Sequence, residues 1–159
     1  MVLKAHCEIT VRQLMLIAEL KHFAWPLYSV YEHAQWMISN LNHEDLHCMY
    51  YHNSLQAYIN VFGISANIDG EDVRIIGTGN LCSRDNLFGT VLYRQALNNY
   101  KKKFFMLGFC KTELLNYHTS LGWTKADKSK VDMPNVDLNT TEVITIGEFN
   151  TLKYLGNKF

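Results

Sequence analysis

Residues His43-Glu44-Asp45-Leu46-His47 match the pattern H-E-x-x-H. On a helix, that spacing turns two imidazoles to one side to bind zinc, and the glutamate acts as a base. The chemistry needs a helix through the motif. Here Asn40, Asn42 and Asp45 lead into a β-like Cys48-Met49-Tyr50-Tyr51 stretch, and no obvious third ligand follows. The five residues read as a solvated turn entering a strand, and no metal is expected. The four cysteines, Cys7, Cys48, Cys82 and Cys110, form no C-x-x-C pair. Their wide spacing fits reduced thiols better than a disulfide framework or a zinc knuckle.

The elements that position such residues follow from periodicity and capping. Thr10-Val11-Arg12-Gln13 is a capping box opening a helix with Leu14, Ile17, Ala18 and Leu20 at helical spacing. Trp25-Pro26 ends it, because the residue before proline avoids the helical region. Ser29-Val30-Tyr31-Glu32 opens a second helix to about Leu41, burying Ala34, Met37, Ile38 and Leu41. Strands are expected at 46–51, 55–64 and 73–82. His52-Asn53-Ser54 is the first turn, and Asp69-Gly70 marks a hairpin. Leu87, Val91, Leu92 and Leu97 mark a helix ending near Lys101-Lys102-Lys103. A short apolar strand at 104–109 follows, parallel to its neighbour after that crossover. A helix over 112–120 closes at Gly122. A strand begins at 123–126, residues 127–140 read as a loop, and 143–146 is a last strand.

Composition narrows the class. The 159 residues, 48% of them hydrophobic, suffice for one domain with a sizeable core, taken as 1–159. Fifteen basic residues balance fifteen acidic ones, so nothing pulls the chain toward nucleic acid or an anionic membrane. Lys4, His6, Glu8 and Arg12 interrupt any apolar leader, and no long apolar run predicts a spanning helix. With reduced thiols, this points to the cytoplasm.

The stretch from Phe105 to Trp123, FMLGFCKTELLNYHTSLGW, resembles the strand-helix-strand end of the GNAT acyltransferases. Ile76-Gly77-Thr78-Gly79-Asn80-Leu81-Cys82 is similar to that family's central strand, and Gly89-Thr90-Val91-Leu92 to the start of its cofactor helix. The order of elements agrees too. The resemblance implies an α+β fold, with a mixed twisted sheet, a meander plus one βαβ crossover, and helices on both faces. It implies an N-acetyltransferase that moves the acetyl group of acetyl-coenzyme A to a small amine or peptide amine, by direct attack. The alternative is a fold kept while coenzyme A binding is lost, leaving a ligand-binding or interaction module. Relatives often pair through the late strands, so a homodimer is one expected state.

Site residues follow from the same resemblance. A strand splayed from its parallel neighbour would bind the pantetheine arm through Gly79, Leu81, Cys82 and Ser83. Arg84, Asn86, Leu87, Phe88, Gly89 and Thr90 would hold the pyrophosphate at a helix N-terminus. Lys111 joins this cofactor set. The family's loop carries Arg/Gln-x-x-Gly-x-Gly/Ala, whereas here Leu87 replaces the first glycine, Asp85 adds a negative charge and the loop is shortened. Where the family has its catalytic tyrosine stands His118, with Tyr117 beside it. Either could protonate the departing thiolate. Glu32, His33, His47 and Asn80 are candidate bases. Lys101 to Lys103 either steer phosphates or only complement a helix end. Trp25, Tyr28, Tyr31 and Trp36 either line an acceptor pocket or fill the core, and core is favoured.

Overall fold

Two reciprocal caps set the first two helices. The Oγ1 of Thr10 accepts the Gln13 amide at 3.2 Å, and the Gln13 side chain accepts the Thr10 amide. Helix α1 then runs Val11–Ala24. Ser29 and Glu32 repeat the arrangement at the start of α2, Val30–Asn40. Each pair satisfies amides that the helix itself cannot.

The structure, a computed structural model, describes residues 1–156. The chain folds as two compact units. The first combines Met1–Phe62 with Gly79–Leu97. In it β1, Val2–Ala5, lies antiparallel to β2, Leu46–His52, from Val2↔Met49 to Ala5↔Leu46. Strand β2 pairs antiparallel with β3, Ser54–Ile68, and the register shifts between Tyr50 and Tyr51. The connecting Asn53 takes a φ of 63°, which asparagine tolerates. Strand β4, Glu71–Ser83, feeds α3, Asn86–Tyr100, across two residues. Ile17, Leu20, Met37, Tyr58, Phe62 and Leu92 fill this unit's core.

The second unit combines Gly63–Thr78 with residues from Asn98 onward. The hairpin between β3 and β4 turns at Asp69 and Gly70, with φ of 54° and 91°. Positive φ at both is what a two-residue primed turn requires. The Asp69 carboxylate also accepts the Asn150 and Thr151 amides at 2.8 and 2.7 Å. Strand β5, Met106–Cys110, is parallel to β4 and antiparallel to β8, Glu142–Ile146. Between β5 and β8 lie α4, Leu115–Ser120, and β6, Thr124–Lys125, which pairs with β8. Pairing is mostly antiparallel with a parallel β4–β5 pair, so the sheet is mixed and the fold is α+β. Among the described residues no helix is long and apolar enough to cross a membrane.

Four local differences from the expected elements have physical causes. The edge strand β1 carried no clear alternation over its four residues and was not anticipated. Strand β5 starts at Met106, because Lys103 and Phe104 still donate amides to the Tyr100 carbonyl and prolong the helical turn. The helix over 112–120 begins as a 3-10 turn, Thr112–Leu114. The polar stretch 127–140 contains a short 3-10 turn capped by Asp127, then β7, Val131–Asp132, parallel to β9, Leu152–Lys153.

Leu107, in mid-β5, is fully buried. Leu107→Ala should cost about 2–5 kcal/mol by leaving a cavity, read as a lower urea midpoint with unchanged slope. A loss under about 1 kcal/mol would contradict the packing described for β5.

Candidate active site

The apolar stripe of α1 runs through Leu14, Ile17 and Ala18. The next position on that face is Lys21, only 2% exposed. Burial disfavours its charge and lowers its pKa from the ordinary 10.5 to about 8. Its Nζ donates to Oδ1 of Asn80 at 3.0 Å. The same nitrogen lies 4.3 Å from the ring centre of Trp36 and 6.0 Å from that of Trp25, in reach of their π faces. An ammonium has three donors. Among the described residues Lys21 has no carboxylate in ion-pair contact.

Lys21 and Asn80 border a cavity of about 560 Å³. Trp25, Tyr28 and Trp36 supply aromatic walls, with Glu32 and His33 beside them. The expectation that these aromatics fill the core is therefore corrected. Trp25 and Tyr28 fall in the surface connection between α1 and α2, and Tyr31 is exposed in the first turn of α2. Glu32 is committed to Ser29, whose backbone and side-chain hydrogen bonds hold its carboxyl below the usual range. His33 donates Nε2–H to the Trp25 carbonyl at 3.2 Å, leaving Nδ1 as its basic nitrogen. Burial lowers its pKa.

Three of the four candidate bases, Glu32, His33 and Asn80, thus meet at one cavity. His47 stands elsewhere. Its Nε2 bonds Nδ1 of His6 at 2.9 Å and its Nδ1 bonds the Tyr58 hydroxyl at 2.7 Å, so neither nitrogen is left for substrate. Burial pushes its pKa down to about 4. His43 and Glu44 lie in a turn and His47 in β2, so H-E-x-x-H spans a turn and a strand.

Asn80 sits within β4 at a φ of 57°, a left-handed value that asparagine tolerates but that is out of place inside a strand. Its Nδ2 donates to Oδ1 of the fully buried Asn60 at 3.2 Å. The side chain is thus held between Asn60 and Lys21. The parallel ladder to β5 consists of Ile76↔Met106 and Gly77↔Leu107. Strand β4 continues beyond it to Ser83. Gly79, Leu81, Cys82 and Ser83 lie on that continuation. The Cys82 thiol is buried and pushed up to about 12, so it is no nucleophile, and its backbone is what it can offer.

Arg84 and Asp85 alone separate β4 from α3. The Asp85 carboxylate accepts the Leu87 amide at 2.7 Å, capping the start of α3. Asn86 and Leu87 are exposed, and Thr90 is half-buried. Phe88 stacks on Tyr50 at 5.3 Å. Gly89 is needed for close packing, because a Cβ there would come within 2.7 Å of the Ser83 hydroxyl. The Arg84 guanidinium lies 5.4 Å from the Phe23 ring centre.

The remaining expected residues belong to the second unit. Tyr117 and His118 stand on α4 with rings edge to face at 5.3 Å. His118 is buried, which lowers its pKa. Lys111 is exposed and 4.0 Å from the Glu113 carboxylate. Lys101 to Lys103 are exposed in the turn after α3. Sequence reasoning missed Lys21 and Asn60. For Lys21 a cue was available, since a lysine at the next position of a buried stripe breaks the hydrophobic pattern.

The folded-state pKa of Lys21 lies below its unfolded value, so its burial costs stability while the chain's lysine is charged. That cost is full below pH 8 and is relieved as pH rises from 8 toward 10.5. Lys21→Met should therefore stabilise the protein at pH 7, by at most about 3 kcal/mol. The gain should shrink steadily between pH 8 and 10.5 in thermal or denaturant unfolding. A gain independent of pH would disprove the buried charge.

The sequence matches no protein-family model and no curated protein. Solved structures do match the fold. An acyl-CoA N-acyltransferase from Pseudomonas aeruginosa superposes with a TM-score of 0.66 at 15% identity, over 92% of this chain and 97% of that one. The GNAT family N-acetyltransferase YhbS from Escherichia coli, solved in complex with CoA, gives 0.63 at 13% identity, over 97% and 89%. The aminoglycoside 6'-N-acetyltransferase from Enterococcus faecium gives 0.59 at 11% identity, over 91% and 95%. The chain has the GNAT fold.

Proposed function

We propose that this protein is an acyl-coenzyme A-dependent N-acyltransferase, using acetyl-coenzyme A as co-substrate and a small amine or peptide amine as acceptor. The observation that carries this reading is β4. Its ladder to β5 covers Ile76 and Gly77, yet the strand runs on to Ser83 and delivers the chain to the start of α3 within two residues. A strand edge of this kind bonds an extended arm as it would another strand. The fold is that of YhbS, which has been solved with CoA.

Acetyl-coenzyme A would supply the thioester. Gly79 to Ser83 would align the pantetheine arm, with an amide near Leu81 or Cys82 facing the developing oxyanion. Asn86 to Thr90 would face the pyrophosphate, with Arg84 and Lys111 as cations. These residues fit the arm better than the phosphates, because Asp85 already holds the Leu87 amide. The protonated, buried Cys82 thiol favours direct attack over a covalent enzyme intermediate. His118 or Tyr117 would return a proton to the thiolate. His118, held neutral by burial, still carries one N–H for that purpose.

The Asp85 cap favours a second reading, a GNAT fold that no longer binds coenzyme A. Calorimetric titration with acetyl-coenzyme A separates the two. Micromolar binding is expected, abolished by Leu87→Glu and strengthened about fivefold by Asp85→Asn, which removes charge beside the phosphates. No binding at millimolar concentration, with Asp85→Asn equally silent, would leave the non-catalytic module. Once an acceptor is known, His118→Ala should lower kcat by about 10²-fold with little change in KM if it is the acid. The same loss in Tyr117→Phe alone would move the role to Tyr117.

A further inference from the structure

We propose that the cavity between α1, α2 and β4 takes an aromatic amino acid, with the Lys21 ammonium as the anchor for its carboxylate. This rests on the transferase reading above and names the acceptor class of that site.

Charge is the first argument. Buried ammonium groups are almost always paired with an anion. Lys21 is 2% exposed, borders the cavity, and gives one hydrogen bond, to a neutral amide oxygen. Two of its donors have no protein acceptor among the described residues. A ligand carboxylate would supply both the missing acceptors and the missing charge. Among the described residues the one carboxylate bordering the cavity, Glu32, is held in its own helix cap by both the amide and the hydroxyl of Ser29.

Position is the second. Lys21 Nζ lies 3.0 Å from the Asn80 side chain. Asn80 stands between Gly79 and Leu81 on the strand edge assigned to the acyl donor. In an α-amino acid a single carbon separates carboxylate from amine. A carboxylate held at Lys21 therefore keeps the amine close to that edge. His33, with Nδ1 left as its basic nitrogen, borders the same cavity.

The walls are the third. Trp25, Tyr28 and Trp36 present ring surface that would stack on an aromatic side chain. About 560 Å³ is ample for such a ligand. A polycationic acceptor meets the opposite conditions. It would bring more positive charge beside Lys21, and the Trp36 face that would attract it already has the Lys21 ammonium at 4.3 Å.

The test is calorimetric titration with L-tryptophan and L-phenylalanine against their decarboxylated counterparts, tryptamine and phenethylamine. Spermidine and kanamycin serve as polycations, and each titration is run with and without saturating coenzyme A. The amino acids should bind at least about tenfold more tightly than the matching amines. Lys21→Met should erase that preference and Lys21→Arg should keep part of it. L-tryptophan should raise the Tm of the wild-type protein and not of Lys21→Met. Equal or tighter binding of the amines, binding of the polycations alone, or no binding of any probe would overturn the assignment. The wild-type ligand series decides this even without the variants. Tryptophan binding through Lys21 without acetyl-coenzyme A binding would keep the cavity's ligand and remove the transferase. Acetyl-coenzyme A binding without tryptophan binding would do the reverse.

Discussion

A residue held left-handed inside a strand breaks the extended backbone there, and even asparagine, which tolerates that region, is steadied in it by its neighbours. Asn80 is that residue, and two side chains from different elements fix it. Asn60 accepts from its Nδ2, and Lys21 donates to its Oδ1. Asn60 is itself fully buried on β3, and its amide reaches toward the Leu46 carbonyl at 3.5 Å. A polar chain thus ties β2, β3, β4 and α1 together inside the first unit. Buried polar groups demand partners, so each member restricts where the next can sit. The position of Lys21 beside the cavity and the local course of β4 are two ends of one constraint.

The same region shows two opposite treatments of charge. At Lys21 the fold buries a cation that has no counter-charge in contact among the described residues, which costs stability. At α3 the fold does the reverse. The helix N-terminus, a natural anion site, is capped by the chain's own Asp85. The packing of Gly89 against Ser83 and of Phe88 against Tyr50 fixes this turn tightly. The C-terminal end of β4 thus treats charge in two opposite ways: an unneutralised cation beside the cavity, and a carboxylate on the helix amides.

Much of the fold was legible in residue order. Thr10-Gln13 and Ser29-Glu32 announced both N-termini, and the structure shows both capping boxes closed. Asp69-Gly70 named its hairpin, because so few residues accept positive φ at both central positions. H-E-x-x-H could be set aside because its neighbours favour a turn and a strand. Short elements were less legible. Strands β1, β7 and β9 have two to four residues each. Such pieces exist because a partner strand supplies their hydrogen bonds, and no local pattern of that length could reveal them.

Local sequence determined the helices, the meander, the crossover and the lack of a phosphate-loop glycine at Leu87, since capping, periodicity and turn chemistry act between neighbours in the chain. Tertiary structure alone decided what Lys21, Asn60 and Asn80 do. They are 59 and 20 residues apart along the pairs that join them, and their meaning arises from a hydrogen bond made only when α1, β3 and β4 pack. Only packing, too, could put Trp25 and Tyr28 beside a cavity instead of in the core. Hydrophobicity says that an aromatic ring leaves water, whereas the placement of the surrounding elements decides whether protein or ligand covers it.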